Sequence, residues 1–239
     1  NIETGKERFS LLSGISHDPF QRDVFTAIWF GSSLLIPNNN NYELHKWCSN
    51  NKITIAHLTP GMAHILCSQD THIFPDLKHV FFLGDKITHD IINKMKNKAP
   101  NTRITNLYGS TESQRAVSYY EIDFSKKISN IPVGKGMFDT NLYILDNNLC
   151  EKNILEEGNI YIRSHYMARG YMNMKSDKWI INPFVNDNNI SNINDILYNT
   201  GDIGYLDENG DIVCLGRKDN QVKINGYRIN LNEIDYILQ

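Results

Sequence analysis

Arg103-Ile104-Thr105-Asn106-Leu107-Tyr108-Gly109-Ser110-Thr111-Glu112 changes character twice within ten residues. A short strand-like run ends at Tyr108. A glycine turn follows, and hydroxyl and carboxylate side chains then open a helix. Upstream, the same order of a short apolar run followed by a helical pattern recurs. Strands are expected at Arg8–Ser13, Ser33–Ile36, Ile53–Leu58, His79–Leu83 and Arg103–Tyr108, with helices at Pro19–Phe30, Tyr42–Asn50, Gly61–Gln69 and Thr88–Lys98. Strand–helix alternation predicts an α/β fold with a mostly parallel sheet covered by helices. In such sheets ligands bind beyond the carboxyl ends of the strands, where Tyr108–Glu112 would lie.

Downstream the pattern is different. Asn141–Leu145, Gly158–Arg163 and Asp211–Leu215 read as short strands separated by turn residues, and Asn209-Gly210 is a hairpin signal. A smaller β subdomain is expected here. Asn186–Asn194 reads as a polar loop. Asn230 and Glu233 have capping-box spacing at the start of a last helix.

Three segments carry chemistry. In the first, Ser110, Thr111 and Glu112 at a helix start could hold phosphate and Mg²⁺. Ser110 or Thr111 acting only as an N-cap explains the residue types equally well. In the second, Tyr198-Asn199-Thr200-Gly201-Asp202, an aspartate after a glycine turn can accept from vicinal ribose hydroxyls, or it can simply bond its own backbone. The third runs Gly216-Arg217-Lys218-Asp219-Asn220-Gln221-Val222-Lys223-Ile224-Asn225-Gly226-Tyr227-Arg228, an order too specific for a merely solvated basic face.

Together, and in this order, the three segments resemble the ANL superfamily of adenylating enzymes over nearly the whole chain. The resemblance implies residues 1–130 as the α/β part of the large adenylation subdomain, 131–218 as its β-rich part, and 219–239 as the hinge and start of a C-terminal subdomain. It implies ATP and Mg²⁺ as cofactors. Gly84, Asn106, Tyr108, Gly109, Thr111, Asp202 and Arg217 would contact the nucleotide, with Tyr108 against adenine and Asp202 and Arg217 at the ribose. Thr111 and Glu112 would be catalytic, Glu112 as the Mg²⁺ ligand, and Asp219 the hinge. The reaction implied is carboxylate plus ATP giving acyl-adenylate and pyrophosphate, a step driven by positioning and charge neutralisation.

Two further stretches, Ser13–Asp23 and Thr111–Tyr120, look like the adenylation domains of the L-2-aminoadipate reductases. By that pattern Asp18, Pro19, Arg22, His57, Phe81, Leu83, Leu107 and Arg115 line the acid pocket. The implied acid is an amino-dicarboxylate, handed to the phosphopantetheine of a carrier domain in the same parent chain and reduced there with NADPH. Asp18, Arg22 and Arg115 sum to +1. Aminoadipate carries one ammonium and two carboxylates, and guanidinium forks suit carboxylates. Plainer roles suit the same side chains one by one: Asp18-Pro19 as an N-cap and N1 pair, the arginines as exposed helix positions, His57 as a core histidine. Two other functions stay open, a peptide-synthetase adenylation domain for another acidic amino acid and a degenerate, non-catalytic binder. The chain departs from the superfamily pattern at Asn159, His165, Tyr166, Cys214 and Asn225.

Composition narrows the field. Apolar residues make up 41% of the 239, and Lys and Arg number 24 against 27 acidic residues, a net charge of −3. Neither a nucleic-acid binder nor a bilayer-spanning chain is expected from this balance. Four cysteines without a C-x-x-C pair fit reduced thiols and a cytoplasmic setting. The absence of an initial Met, and an end at Gln239 within an apolar-periodic segment, lead us to expect a piece of a longer polypeptide, lacking the phosphate-loop and catalytic lysines and inactive by itself.

Overall fold

The computed structural model describes residues 2–38, 43–69, 72–114, 116–126, 128–184, 195–219, 221–224 and 227–238, apart from the side chains of 223, 224, 227, 228, 232, 233 and 236. The expected loop at 186–194 and the positions Arg115 and Asn225 lie outside the described residues. The chain forms two compact units, Asn1–Asn106 with Glu121–Lys127, and Leu107–Tyr120 with Ile128–Gln239.

The first unit alternates β1 (Arg8–Ser10), α1 (Pro19–Trp29), β2 (Ser33–Leu35), α2 (Leu44–Asn50), β3 (Ile55–Leu58), α3 (Pro60–Leu66), β4 (His79–Phe82), α4 (His89–Lys98) and β5 (Arg103–Tyr108), whose last two residues are counted with the second unit. The strands are parallel in the order β2-β1-β3-β4-β5. Each expected strand and helix is present, Arg103–Tyr108 with the expected bounds and the others with shifted ends. Helix α3 starts one residue earlier than expected because Thr59 Oγ1 accepts from the Met62 N–H at 3.2 Å and Pro60 takes the first helical position. Thr88 caps α4 in the same way, accepting from the Ile91 N–H at 3.4 Å.

Side chains alternate across this sheet. Val80, Phe82 and Ile104 are fully buried on one face. On the other, Ile55 packs with Phe9 and Phe81 against Ala27 of α1. Burying each such large apolar side chain contributes about 1.5–3 kcal/mol. The buried residues of α1 are Ala27 and, one turn earlier, Asp23, so the helix stripe that covers the sheet carries a carboxylate with it.

The second unit is antiparallel. It contains β6 (Ser118–Glu121) up to Tyr120, paired with β7 (Lys135–Gly136), then β8 (Thr140–Leu145), β9 (Gly158–Ser164), β10 (Trp179–Ile181), β11 (Ile196–Leu206) and β12 (Ile212–Arg217). Strand β11 is the hub. One edge pairs with β9, while the other meets β10 near its start and β12 near its end. Asn209 and Gly210 lie in the turn joining β11 to β12, as expected. The basic segment forms a hairpin of β13 (Gln221–Ile224) and β14 (Tyr227–Asn230), followed by α5 (Leu231–Leu238) directly after Asn230.

Two expectations are corrected. Tyr198–Asp202 is not a turn: it lies inside β11, the longest strand. Thr111–Ser113 is a single 3-10 turn rather than the start of a longer helix. Ser113 Oγ accepts from the Ser110 N–H at 2.9 Å, and Gln114 at φ 56° turns the chain out of the helical region.

Candidate functional site

The second unit's site is built on an irregularity in β11. Asn199 pairs with Tyr161 and Ile203 with Asn159, so Thr200, Gly201 and Asp202 stand opposite Ile160 alone. Such a bulge re-aims side chains. Its own residues hold it in place. Thr200 Oγ1 donates to the Ile160 carbonyl at 2.9 Å and accepts from the Asp202 N–H at 3.0 Å. Asn199 Oδ1 accepts from the Gly201 N–H at 3.0 Å. Gly201 takes φ +79°, and a Cβ there would come within 2.7 Å of Arg217 Nη2 and 2.9 Å of Asp219 Oδ2.

Asp202 pairs across the ladder with Arg217, and Arg217 Nη1 donates to Asp202 Oδ1 at 3.1 Å. The other edge of the guanidinium forks Asp219, Nε to Oδ1 and Nη2 to Oδ2, both at 2.6 Å. Partial burial pushes the Asp219 carboxyl up, but the Arg217 fork outweighs it and holds the group below the usual carboxylate range. Asp219, the expected hinge, follows β12 and is gripped by that strand's last residue.

The Tyr108 hydroxyl donates to Asp202 Oδ2 at 2.5 Å. Its ring packs against two apolar clusters, one around Val133, Ile144, Ile160 and Ile212 and the other around Val117, Ile162 and Tyr198. Burial, reinforced by the Asp202 charge, pushes the phenol well above its ordinary range. A recess of ≈ 310 Å³, open to solvent, has Tyr108, Gly109, Ser110, Thr200, Asp202 and Arg217 in its lining. Thr111 is exposed, whereas Glu112 is buried and its Oε1 accepts from the Tyr171 hydroxyl at 2.6 Å. One carboxylate is a fitting protein contribution to Mg²⁺, which takes its other oxygens from phosphate and water. Ser110 serves as the cap of this turn, the plainer role open to it; capping does not account for Thr111 or Glu112.

In the first unit the centre is Asp23, a residue no expected role was attached to. Its side chain is 1% exposed. Arg22 Nε and Nη2 both donate to Asp23 Oδ1, at 3.0 and 2.9 Å. His57 Nδ1 lies 3.1 Å from the same oxygen, and Ser13 Oγ donates to Oδ2 at 3.2 Å. His57 on β3 stacks on Phe81 of β4, its register partner, with ring centroids 4.9 Å apart. Burial works against ionisation of Asp23, but His57 and Arg22 outweigh it and hold the carboxyl below its usual range. Burial also lowers the pKa of His57, more than Asp23 raises it. The imidazole is therefore neutral at neutral pH. Facing a carboxylate, it carries its proton on Nδ1.

The structure thus brings Arg22, His57 and Phe81 together through Asp23. Asp18 and Pro19 precede Arg22 by one helical turn. Asp18 occupies the cap position without a side-chain cap hydrogen bond, so capping alone does not explain it. Leu83 and Gly84 follow β4, half-buried, Gly84 at φ +99°. Asn106 is buried in this unit, and Leu107 is buried in the other. The charge count expected for the pocket changes: Asp23 already compensates Arg22. Asp23 left one sequence signal, an acidic residue four positions before Ala27 on the covered stripe of an amphipathic helix. Tyr171 lies 59 positions from Glu112, and no spacing rule signals their contact.

Of the departures, Asn159 Nδ2 donates to the Leu145 carbonyl at 3.3 Å. Cys214 packs on the Val133–Ile212 core. His165 and Tyr166 are exposed. No helix among the described residues is long and apolar enough to cross a membrane.

A family profile described as AMP-binding enzyme matches residues 2–172. L-2-aminoadipate reductase of Saccharomyces cerevisiae is 39% identical, the match covering 97% of this chain and 19% of that protein. Bacitracin synthase 1 of Bacillus licheniformis is 31% identical over 95% of this chain and 4% of its own length. The chain therefore spans less than a fifth of the curated relatives it matches. Among solved structures, the Vibrio cholerae adenylation domain AlmE in complex with glycyl-adenosine-5'-phosphate superposes with a TM-score of 0.86 at 22% identity, covering 98% of this chain and 45% of that one. Holo-PA1221, a peptide-synthetase protein with adenylation and carrier domains, gives a TM-score of 0.88 at 22% identity, over 100% of this chain and 42% of its own.

Proposed function

The chain belongs to the AMP-binding enzyme family, and from that premise we propose that it is part of an adenylation domain that activates L-2-aminoadipate as its acyl-adenylate. The observation that carries the reading is the bulge of β11. It sets Asp202 on a recess that Arg217 of β12, Gly109 and Ser110 also line. A carboxylate there suits the vicinal hydroxyls of a ribose, and hydroxyls and a cation suit phosphate.

In this reading Tyr108 and Gly109 hold the adenosine, with Asn106 and Gly84 as further nucleotide contacts. Thr111 binds phosphate. Glu112, steadied by Tyr171, would hold Mg²⁺, which neutralises phosphate charge when bound. Asp18, Pro19, Arg22, His57, Phe81, Leu83, Leu107 and Arg115 select the acid. The δ-carboxylate is the activated group, and the α-amino-acid head is gripped at the far end. Asp219 divides residues 1–130 and 131–218 from a moving segment at 219–239. The acyl group passes to a phosphopantetheine thiol on a carrier domain and is reduced with NADPH, in the cytoplasm. Similarity to aminoadipate reductases over 97% of this chain supports the choice of acid.

ATP–pyrophosphate exchange by the complete polypeptide, offered L-2-aminoadipate, adipate, glutamate and lysine separately, tests the proposal. Exchange with aminoadipate alone is expected. Preference for glutamate would favour a peptide-synthetase domain for another acidic amino acid. Silence from a folded protein with all four would favour a non-catalytic binder. In the same assay Arg115→Ala leaves a substrate carboxylate unpaired, at a cost of about 3–5 kcal/mol in kcat/KM.

A further inference from the structure

Asp23 does not merely neutralise Arg22. Both of the Arg22 donors to Asp23, Nε and Nη2, lie on one edge of the guanidinium. The remaining nitrogen, Nη1, is buried and has no hydrogen-bond partner. A buried, unsatisfied donor on a charged group is costly and marks a place where a partner belongs. Nη1 offers N–H bonds and positive charge, which an anionic oxygen satisfies best.

The same carboxylate oxygen fixes a second group. Asp23 Oδ1 lies 3.1 Å from His57 Nδ1. A carboxylate accepts and never donates, so the neutral imidazole donates from Nδ1 and Nε2 is left as the acceptor. Packing of the His57 ring on Phe81, at an interplanar angle of 22°, limits its rotation. Helix α1 and strand β3 each supply one part, and Asp23, on the covered stripe of α1, joins them.

Resting on the function proposed above, we infer that Asp23 is the positioning residue for recognition of an α-amino-acid head. By occupying one edge of Arg22 and one nitrogen of His57, it leaves a matched pair, the Nη1 donor for the head carboxylate and the Nε2 acceptor for the ammonium. Arg22 then meets its ligand through a single nitrogen rather than through a fork. Asp23 acts through Arg22 and His57 and does not touch the substrate.

The test uses the complete polypeptide and three acids in ATP–pyrophosphate exchange: L-2-aminoadipate, adipate, which lacks the ammonium, and 5-aminopentanoate, which lacks the head carboxylate. In Asp23→Asn, KM for aminoadipate rises about tenfold to a hundredfold. The KM for ATP stays put, and the preference for aminoadipate over both analogues collapses. Asp23→Glu, which keeps the charge, recovers part of that preference. Asp23 is buried, so folding is checked by thermal melting. If Asp23→Asn does not fold, His57→Asn decides: its amide can still donate to Asp23 but supplies no acceptor at the Nε2 position. That variant should lose the preference over adipate and keep the preference over 5-aminopentanoate. Folded variants that weaken all three acids equally, or leave both preferences intact, overturn the inference while leaving the proposed function standing. A wild type that exchanges with none of the three overturns the proposed function and this assignment with it.

Discussion

The Tyr108 hydroxyl meets Asp202 Oδ2 at 2.5 Å although 94 positions separate the two residues. The contact ties the end of β5 to the bulge of β11 within one unit. Tyr108→Phe keeps the ring in its two apolar clusters and removes one donor to a carboxylate, a loss of about 1.5–3 kcal/mol. Asp202 retains Arg217 at 3.1 Å. The expected result is a higher KM for ATP, by about tenfold, with KM for the acid unchanged. Exchange kinetics at varied ATP would show it, and an unaltered ATP KM would detach this hydroxyl from nucleotide binding.

Gly201→Ala should damage the same site from the backbone. The positive φ costs an L-residue about 1–2 kcal/mol. The added Cβ would press on Arg217 Nη2 and Asp219 Oδ2, both nearer than 3.0 Å. Chemical denaturation should report the stability loss, and ATP affinity should fall with it. Wild-type values for both would mean that the ion pair yields without consequence.

Acid should weaken the first unit before its carboxylates titrate. Burial, helped by the Arg103 charge, pushes His79 down to about 4, and burial lowers His57 as well. Unfolded histidine titrates near about 6.5. Between about pH 6.5 and about pH 4 the unfolded chain therefore binds more protons, and stability falls as pH falls. Urea midpoints at about pH 7 and about pH 5 should differ for this reason. His79→Asn should narrow the gap; an identical gap would clear His79 of the effect.

Thiol chemistry should divide the cysteines by burial. Burial pushes Cys48 up to about 12 and Cys67 up to about 11, while Cys150 is exposed. Thiolate is the reactive form. Brief alkylation of the native protein followed by peptide mapping should label Cys150 and spare Cys48 and Cys67. Early labelling of Cys48 would contradict its burial on α2.

What could be read from residues alone was local and periodic. Short apolar runs such as His79–Phe82 and Arg103–Tyr108, set between helical patterns, place the parallel sheet without any knowledge of contacts. Tyr198–Asp202 misled because Asn, Thr, Gly and Asp are turn formers. Here their turn chemistry operates within a strand, where Thr200 and Asn199 stabilise a bulge. Glu112 looked like a helix residue because capping signals say where a helical turn begins and not how far it runs; Gln114 ended it. The expected acid-pocket pattern contains Arg22, His57 and Phe81, which the structure brings together. Asp23 was passed over because its importance arises from two partners on different elements, one of them 34 positions away.

The bulge of β11 has a consequence for how this chain tolerates change in length. Regular pairing with β9 resumes on both sides of Thr200–Asp202, so a residue added or lost between Tyr198 and Gly204 has no slack to disappear into. The flanking ladder would have to shift, every side chain beyond it would exchange inside for outside, and Asp202 would lose its place opposite Arg217. The loops that join these strands can lengthen or shorten at little cost. This seven-residue stretch cannot, and its spacing shapes the recess that Asp202 and Arg217 line as much as its side chains do.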